Sequence, residues 1–174
     1  AILENGNILA VGHVMRYTDY TQSFKVLLDS GAIGDIVSIE HLEPVGYWHQ
    51  AHSFVRGNWG NEAASSPMLL AKSCHDIDWL RSIIGRKCLS VSSFGSLKHF
   101  KKAAKPALAG DATRCVSCNF EADCPYSAKK IYLQRVKDGN TAWPVDILTS
   151  DATEVNVMAA LELGPYGVCV YECD

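Results

Sequence analysis

The stretch from Ser66 to Gly85 constrains this chain more than any other. Leu70, Cys74, Ile77, Leu80 and Ile84 recur at helical spacing, so the segment predicts an amphipathic helix over residues 67–84. Ser66 is placed to cap it, Pro67 suits the first helical position, and Gly85 is placed to end it. On an ideal wheel His75 lies about 160° from Ile77, and Lys72 lies about 140° away on the other side. The two titratable groups therefore sit opposite the apolar stripe, on a face shared with Met68 and Trp79. A Lys and a His one turn apart beside aromatic cover suit proton transfer in a half-buried cleft. The same pattern also describes an ordinary wet helix face.

The rest of the chain reads as a mixture of strands and helices without regular βαβ alternation, which predicts an α+β fold. Ile8–Val14 is a short apolar run of the kind found in buried strands. Thr18 can cap a helix carrying Tyr20, Phe24, Leu27 and Leu28, which Gly31 ends. Strands are expected over Ile36–Glu43, Cys88–Leu97 and Val168–Cys173, and helices near Ala128–Lys137 and Asp151–Leu163, the latter stopped by Gly164 and Pro165. Residues 98–124 read as an insertion, basic at first and then rich in Ala and Gly. Both ends fall close to expected strands, so the chain is expected to be a fragment of a longer protein.

Between Pro44 and Ala64 lies an expected loop with Tyr47, Trp48, His49, His52, Phe54, Arg56 and Trp59. Aromatic faces stack on the C–H faces of a sugar or polyol, and the polar tips hydrogen-bond its hydroxyls. Arg56 could instead hold a carboxylate in a bidentate fork. Equally, such aromatics can fold down onto the core.

The chain has seven cysteines, an odd number without a secretory signal, which suits reduced thiols in the cytoplasm. Cys115-x2-Cys118-x5-Cys124 has the spacing of the first part of a zinc or iron–sulfur site, with His99 a candidate fourth ligand. Without a metal the cluster is a set of thiols in an insertion. Cys169 and Cys173, i and i+4 on an expected strand, would lie about 13 Å apart and read as core thiols. The net charge of −3 gives no electrostatic case for nucleic acid or an anionic membrane, and no apolar run is long enough to span one. The chain contains no Gly-x-Gly-x-x-Gly, P-loop, Gly-x-Ser-x-Gly or His-Glu-x-x-His motif.

Three stretches together resemble the glucose–fructose oxidoreductase / inositol dehydrogenase (Gfo/Idh/MocA) family. Val11–Tyr17 is similar to the last strand of that family's Rossmann domain. Leu28–Ile36 is similar to its helix–turn–strand passage into the second domain. Ser66–Gly85 is similar to its helix of the form Gly-Gly-x-x-x-Asp-x-x-x-His-x-x-Asp. Here the Gly-Gly pair is Ser65-Ser66, the first Asp is Ala71, the His is His75 and the last Asp is Asp78.

The resemblance implies an NAD- or NADP-dependent oxidoreductase acting on a sugar, polyol or related alcohol. Residues 1–17 would end a missing Rossmann domain. Residues 18–174 would form an incomplete C-terminal domain, an open and mostly antiparallel sheet with helices on one face, through which the protein assembles as a homo-oligomer. His75 and Lys72 would be catalytic. Arg16, Tyr17, Tyr47, His49, His52, Arg56, Trp59 and Asp78 would line the substrate site, and Arg16 alone would reach the dinucleotide. Zinc would sit at Cys115, Cys118, Cys124 and His99. The fragment alone would be inactive. The alternative is a non-enzymatic binding or oligomerisation module whose insertion is stapled by metal.

Overall fold

The Thr18 side chain accepts a hydrogen bond from the Thr21 N–H at 3.3 Å, and helix α1 (Asp19–Asp29) starts from that cap. It ends at Ser30, after which Gly31 takes the left-handed conformation (φ 74°) that a side chain would resist. In this computed structural model, which describes residues 4–173, the chain divides into two compact units. The first comprises the segments through Glu43 and Leu69–Ser93. The second comprises Pro44–Met68 and the segment from Phe94 onward.

The first unit is built on α1 and on the His75 helix. That helix is interrupted. Its expected first turns form α3 (Met68–Ala71), Lys72 and Ser73 make a turn, and α4 (Cys74–Ile84) follows, closed by Gly85 at φ 70°. The buried stripe of α4 is Asp76, Trp79 and Ile83. It is not the stripe expected from periodicity, since Leu70, Ile77 and Ile84 are exposed. Helix α1 selects the stripe. Trp79 Nε1 donates to Thr21 Oγ1 at 2.9 Å, and the Trp79 ring stacks on Phe24, which stacks on Tyr20. An indole that finds both an aromatic stack and a hydrogen-bond acceptor outweighs two isolated aliphatic contacts.

No sheet forms among the described residues, and the expected α+β fold with an open antiparallel sheet is corrected on this point. The one ladder contact is an isolated antiparallel bridge between Arg114 and Val168. Segments 8–13, 36–43 and 88–97 are not in regular secondary structure. The expected Rossmann strand gives way at Val14–Tyr17 to a turn of 3₁₀ helix. A strand exists only as one side of a pair. Here the β-branched and aromatic residues find no ladder partner, and Val37, Leu89 and Phe94 are each at least 95% exposed. With no sheet, the expectation of assembly through a sheet face loses its structural basis.

The second unit holds the larger core, which includes Ala51, Val55, Tyr132, Val145, Val157, Leu161 and Val170. Its elements are α2 (Tyr47–His49), continued by a π-helical stretch Gln50–Arg56; another π-helical stretch, Lys129–Leu133, running into α5 (Gln134–Lys137); and α6 (Glu154–Leu163). The Thr153 side chain caps α6 by accepting from the Asn156 N–H, and α6 packs on Lys129–Leu133. The expected loop at 44–64 is therefore partly helical. Its helical period was hidden because His52, Ser53 and Arg56 are buried beside Ala51 and Val55, so the inward face is not apolar.

Candidate functional site

In the first unit four of the expected site residues share one polar cluster with residues the sequence did not single out. Arg16 grips Asp78 in a two-pronged pair: Nε donates to Oδ2 at 2.5 Å, and the terminal nitrogen donates to Oδ1. The guanidinium holds the Asp78 carboxyl below the usual carboxylate range, and Asp78 in turn raises the pKa of Arg16. His13 Nδ1 lies 3.2 Å from the same carboxylate, and the His13 ring meets His75 edge-on at 5.5 Å between centroids. Arg16, expected as a dinucleotide contact, is thus committed to Asp78.

A second pair of interactions lies at the N-terminal side of α4. Lys72 Nζ donates to Glu43 Oε1 at 2.8 Å, and His41 Nε2 lies 2.8 Å from Asp76 Oδ1. Ligand atoms of His41, Glu43 and Asp76 all fall within 4.8 Å of one another. This is a donor set a cation could use, but the Lys72 ammonium already supplies positive charge to Glu43, and His41 already supplies a partner to Asp76.

Two buried atoms in this cluster have no hydrogen-bond partner: Asp76 Oδ2 and His75 Nδ1. A buried polar atom left unpaired costs about 1–3 kcal/mol, and native structures keep few of them.

Sequence reasoning missed His13, His41, Glu43 and Asp76. The signal for two of them was present. His41 and Glu43 are two residues apart on an extended segment and so share one side of it.

In the second unit the expected substrate residues separate into two sets. His52 and Arg56 are buried and serve the core. His52 Nδ1 pairs with Tyr132 Oη at 2.8 Å, and its ring stacks on Tyr166 and meets Trp143 edge-on. Arg56 donates to the Val168 carbonyl at 2.6 Å, the Tyr126 carbonyl at 2.8 Å and Cys115 Sγ at 3.2 Å. His49 packs among Trp48, Phe54 and Trp143. Tyr47 and Trp59, like Tyr17 in the first unit, keep exposed rings.

Burial lowers the pKa of His52 to about 4, assisted by His49 and the Arg56 and Arg135 charges. The unfolded chain, with the ordinary value near 6.5, then binds more protons than the folded chain between those two values. Stability is full above pH ~6.5 and falls as pH drops toward 4, by about 3 kcal/mol in all. Thermal melts across this range should show that slope, and His52→Gln should flatten it. An equal slope in both proteins would place the titration elsewhere.

The cysteine segment also lies in the second unit. Cys115, Cys118 and Cys124 line one small cavity together with Cys169, while His99 hydrogen-bonds with Tyr171 Oη at 3.2 Å. Cys169 and Cys173 lie on a turn, not a strand, and the Cys173 thiol donates to the Cys169 carbonyl at 3.4 Å. Burial pushes the Cys124 and Cys169 thiols above the ordinary value.

No helix among the described residues is long and apolar enough to cross a membrane. The model of an oxidoreductase family, described as its C-terminal alpha/beta domain and of the Gfo/Idh/MocA type, matches residues 25–140. No curated protein and no solved structure matches the chain.

Proposed function

Because this chain belongs to the Gfo/Idh/MocA oxidoreductase family through its C-terminal alpha/beta domain, we propose that it supplies the acid–base side of an NAD- or NADP-dependent alcohol oxidation. The observation that supports this reading is the His75 imidazole, which meets the His13 ring edge-on beside the Arg16–Asp78 pair. The substrate class is a sugar, polyol or related alcohol, whose hydroxyl is the kind of group that pairs with an imidazole nitrogen.

When held by a nucleotide-binding domain, a nicotinamide would supply the acceptor for the hydride of the carbinol carbon. The residues of this chain handle the proton. His75 takes it from the hydroxyl as the carbon–oxygen bond becomes a carbonyl, and returns it in the reverse direction. Lys72 stands where the family helix leads into His75, and its charge favours the developing alkoxide. The ion pair to Glu43 fixes the position of the ammonium. The Arg16–Asp78 pair braces the opposite side of the cluster, and His13, bonded to Asp78, limits the movement of the His75 ring. Asp78 and Arg16 are thereby positioning residues. In the same unit, the exposed ring of Tyr17 suits stacking on the C–H face of a polyol.

Arg16, the candidate dinucleotide contact, is engaged by Asp78. As the resemblance to the family implies, the dinucleotide is assigned to a nucleotide-binding domain and not to the residues of this chain. Steady-state oxidation of a panel of sugars, polyols and hydroxy acids, followed by nicotinamide absorbance in the intact enzyme, tests the reading. Turnover on at least one alcohol is expected. Absence of turnover across the panel with both dinucleotides would favour a non-enzymatic binding module instead. Calorimetric titration of this chain alone with NADH and NADPH should show no binding, and micromolar affinity would overturn the assignment of the dinucleotide elsewhere.

A further inference from the structure

The alcohol-oxidation reading leaves one constellation unused. Four cysteines from three separate stretches of sequence surround one cavity of about 20 Å³ in the second unit. Cys115 and Cys118 flank a tight turn, closed by a hydrogen bond from the Cys118 N–H to the Cys115 carbonyl at 3.3 Å. Cys124 follows another turn, its N–H donating to the Phe120 carbonyl at 3.0 Å. The isolated bridge between Arg114 and Val168 brings in the fourth, with the Cys169 N–H on the Thr113 carbonyl at 2.8 Å. Three of the four, Cys115, Cys124 and Cys169, are buried.

Two main-chain N–H groups and one guanidinium face these sulfurs. The main-chain N–H of Tyr126 is directed at the Cys124 sulfur, and that of Tyr171 at the Cys169 sulfur, each from two residues downstream. Arg56 donates to Cys115 Sγ. Arg56 is itself 5% exposed, its recorded partners are two carbonyls and a sulfur, and its second terminal nitrogen has no partner. A buried guanidinium without a counter-charge costs several kcal/mol. Four thiolates around a divalent ion carry a net charge of about −2, which supplies that counter-charge.

We propose that Cys115, Cys118, Cys124 and Cys169 form a closed four-thiolate zinc centre, with Cys169 rather than His99 as the fourth ligand. His99 is held by Tyr171 Oη and the Phe100 and Tyr126 rings. Four cysteine sulfurs match the ligand set of a closed, tetrahedral structural zinc site. Among the described residues no three of these sulfurs lie within 4.8 Å of one another. Coordination at about 2.3 Å therefore draws them inward by side-chain rotation. Each bond forms between zinc and a thiolate, and the thiol protons pass to solvent. The centre staples the insertion to the C-terminal turn, and Arg56 supports it from outside as a hydrogen-bond donor to a ligand sulfur.

The test is elemental analysis of the full chain purified without chelator. About one zinc per chain is expected. Cys169→Ser should fall below about a tenth of an equivalent, while His99→Ala keeps its zinc. Cys169→His, which restores a ligand, should recover it. Cobalt substitution of the unaltered chain gives a reading independent of any variant's folding. Its d–d bands should match four thiolates, not three thiolates and an imidazole. Zinc below about a tenth of an equivalent in the unaltered chain overturns the proposal. So does iron with acid-labile sulfide, a mapped disulfide among the four, or loss of zinc in His99→Ala but not in Cys169→Ser.

Discussion

Replacing His75 by alanine is expected to lower turnover of the intact oxidoreductase by about 10²–10⁴-fold, the usual worth of a positioned general acid–base group. Folding should change far less. His75 is only partly buried, and its Nδ1 makes no hydrogen bond that truncation would break. Removing an atom that carries an unpaired burial cost relieves that cost, which offsets part of the lost packing. Lys72→Met should show a smaller loss, because it removes the charge, keeps the length and frees Glu43 from a half-exposed pair of modest strength. A comparison of turnover with thermal stability separates a catalytic role from a structural one. Turnover of His75→Ala should fall while the melting temperature stays within a few degrees of the parent. Unchanged turnover, or unfolding under assay conditions, would return α4 to the reading of an ordinary helix face.

Gly167→Ala should be the most destabilising glycine-to-alanine change in the second unit, costing about 3 kcal/mol or more. A Cβ at Gly167 would overlap the carbonyl oxygen of Leu161, and the next nearest atoms are also Leu161 backbone. A flexible side chain could move aside, but these atoms belong to the last turn of α6, whose Leu161 side chain is fully buried. The cost therefore falls on the α6 terminus and on the turn that leads to Val168 and Cys169. Gly95→Ala is the matched control. Nothing lies within 4 Å of its Cβ position, so stability should be unchanged or rise by less than about 1 kcal/mol as the unfolded chain loses freedom. Urea unfolding of both variants measures the difference, and a Gly167→Ala midpoint near that of the parent would show that the turn can open without loss.

The two expected effects reach different parts of the molecule, and the same contrast runs through the zinc assignment. The spacing of Cys115, Cys118 and Cys124 was legible as a ligand set. The fourth ligand proposed above, Cys169, was not, because it reaches the cavity through a bridge between distant segments. His99 is closer in sequence and chemically suitable, and its ring is engaged with Tyr171.

Local signals were read correctly where the physics is local. The Thr18 cap, the Gly31 and Gly85 ends, the helices near 129–137 and 154–163 and the stop at Gly164 all rest on neighbours a few residues away. Family membership was also in the sequence, and the family match spans two of the three motifs, Leu28–Ile36 and Ser66–Gly85. What only the tertiary structure decided was everything that depends on a distant partner. Strand-forming segments stayed unpaired, because extended backbone becomes a sheet only when another strand meets it. Trp79 displaced Ile77 from the buried stripe, because Thr21 and Phe24 were there to receive it. His52 and Arg56 went into the core because Tyr132, Tyr126 and Val168 satisfy their polar atoms. A sequence records which groups a residue can bond, whereas burial depends on which groups the fold brings within reach.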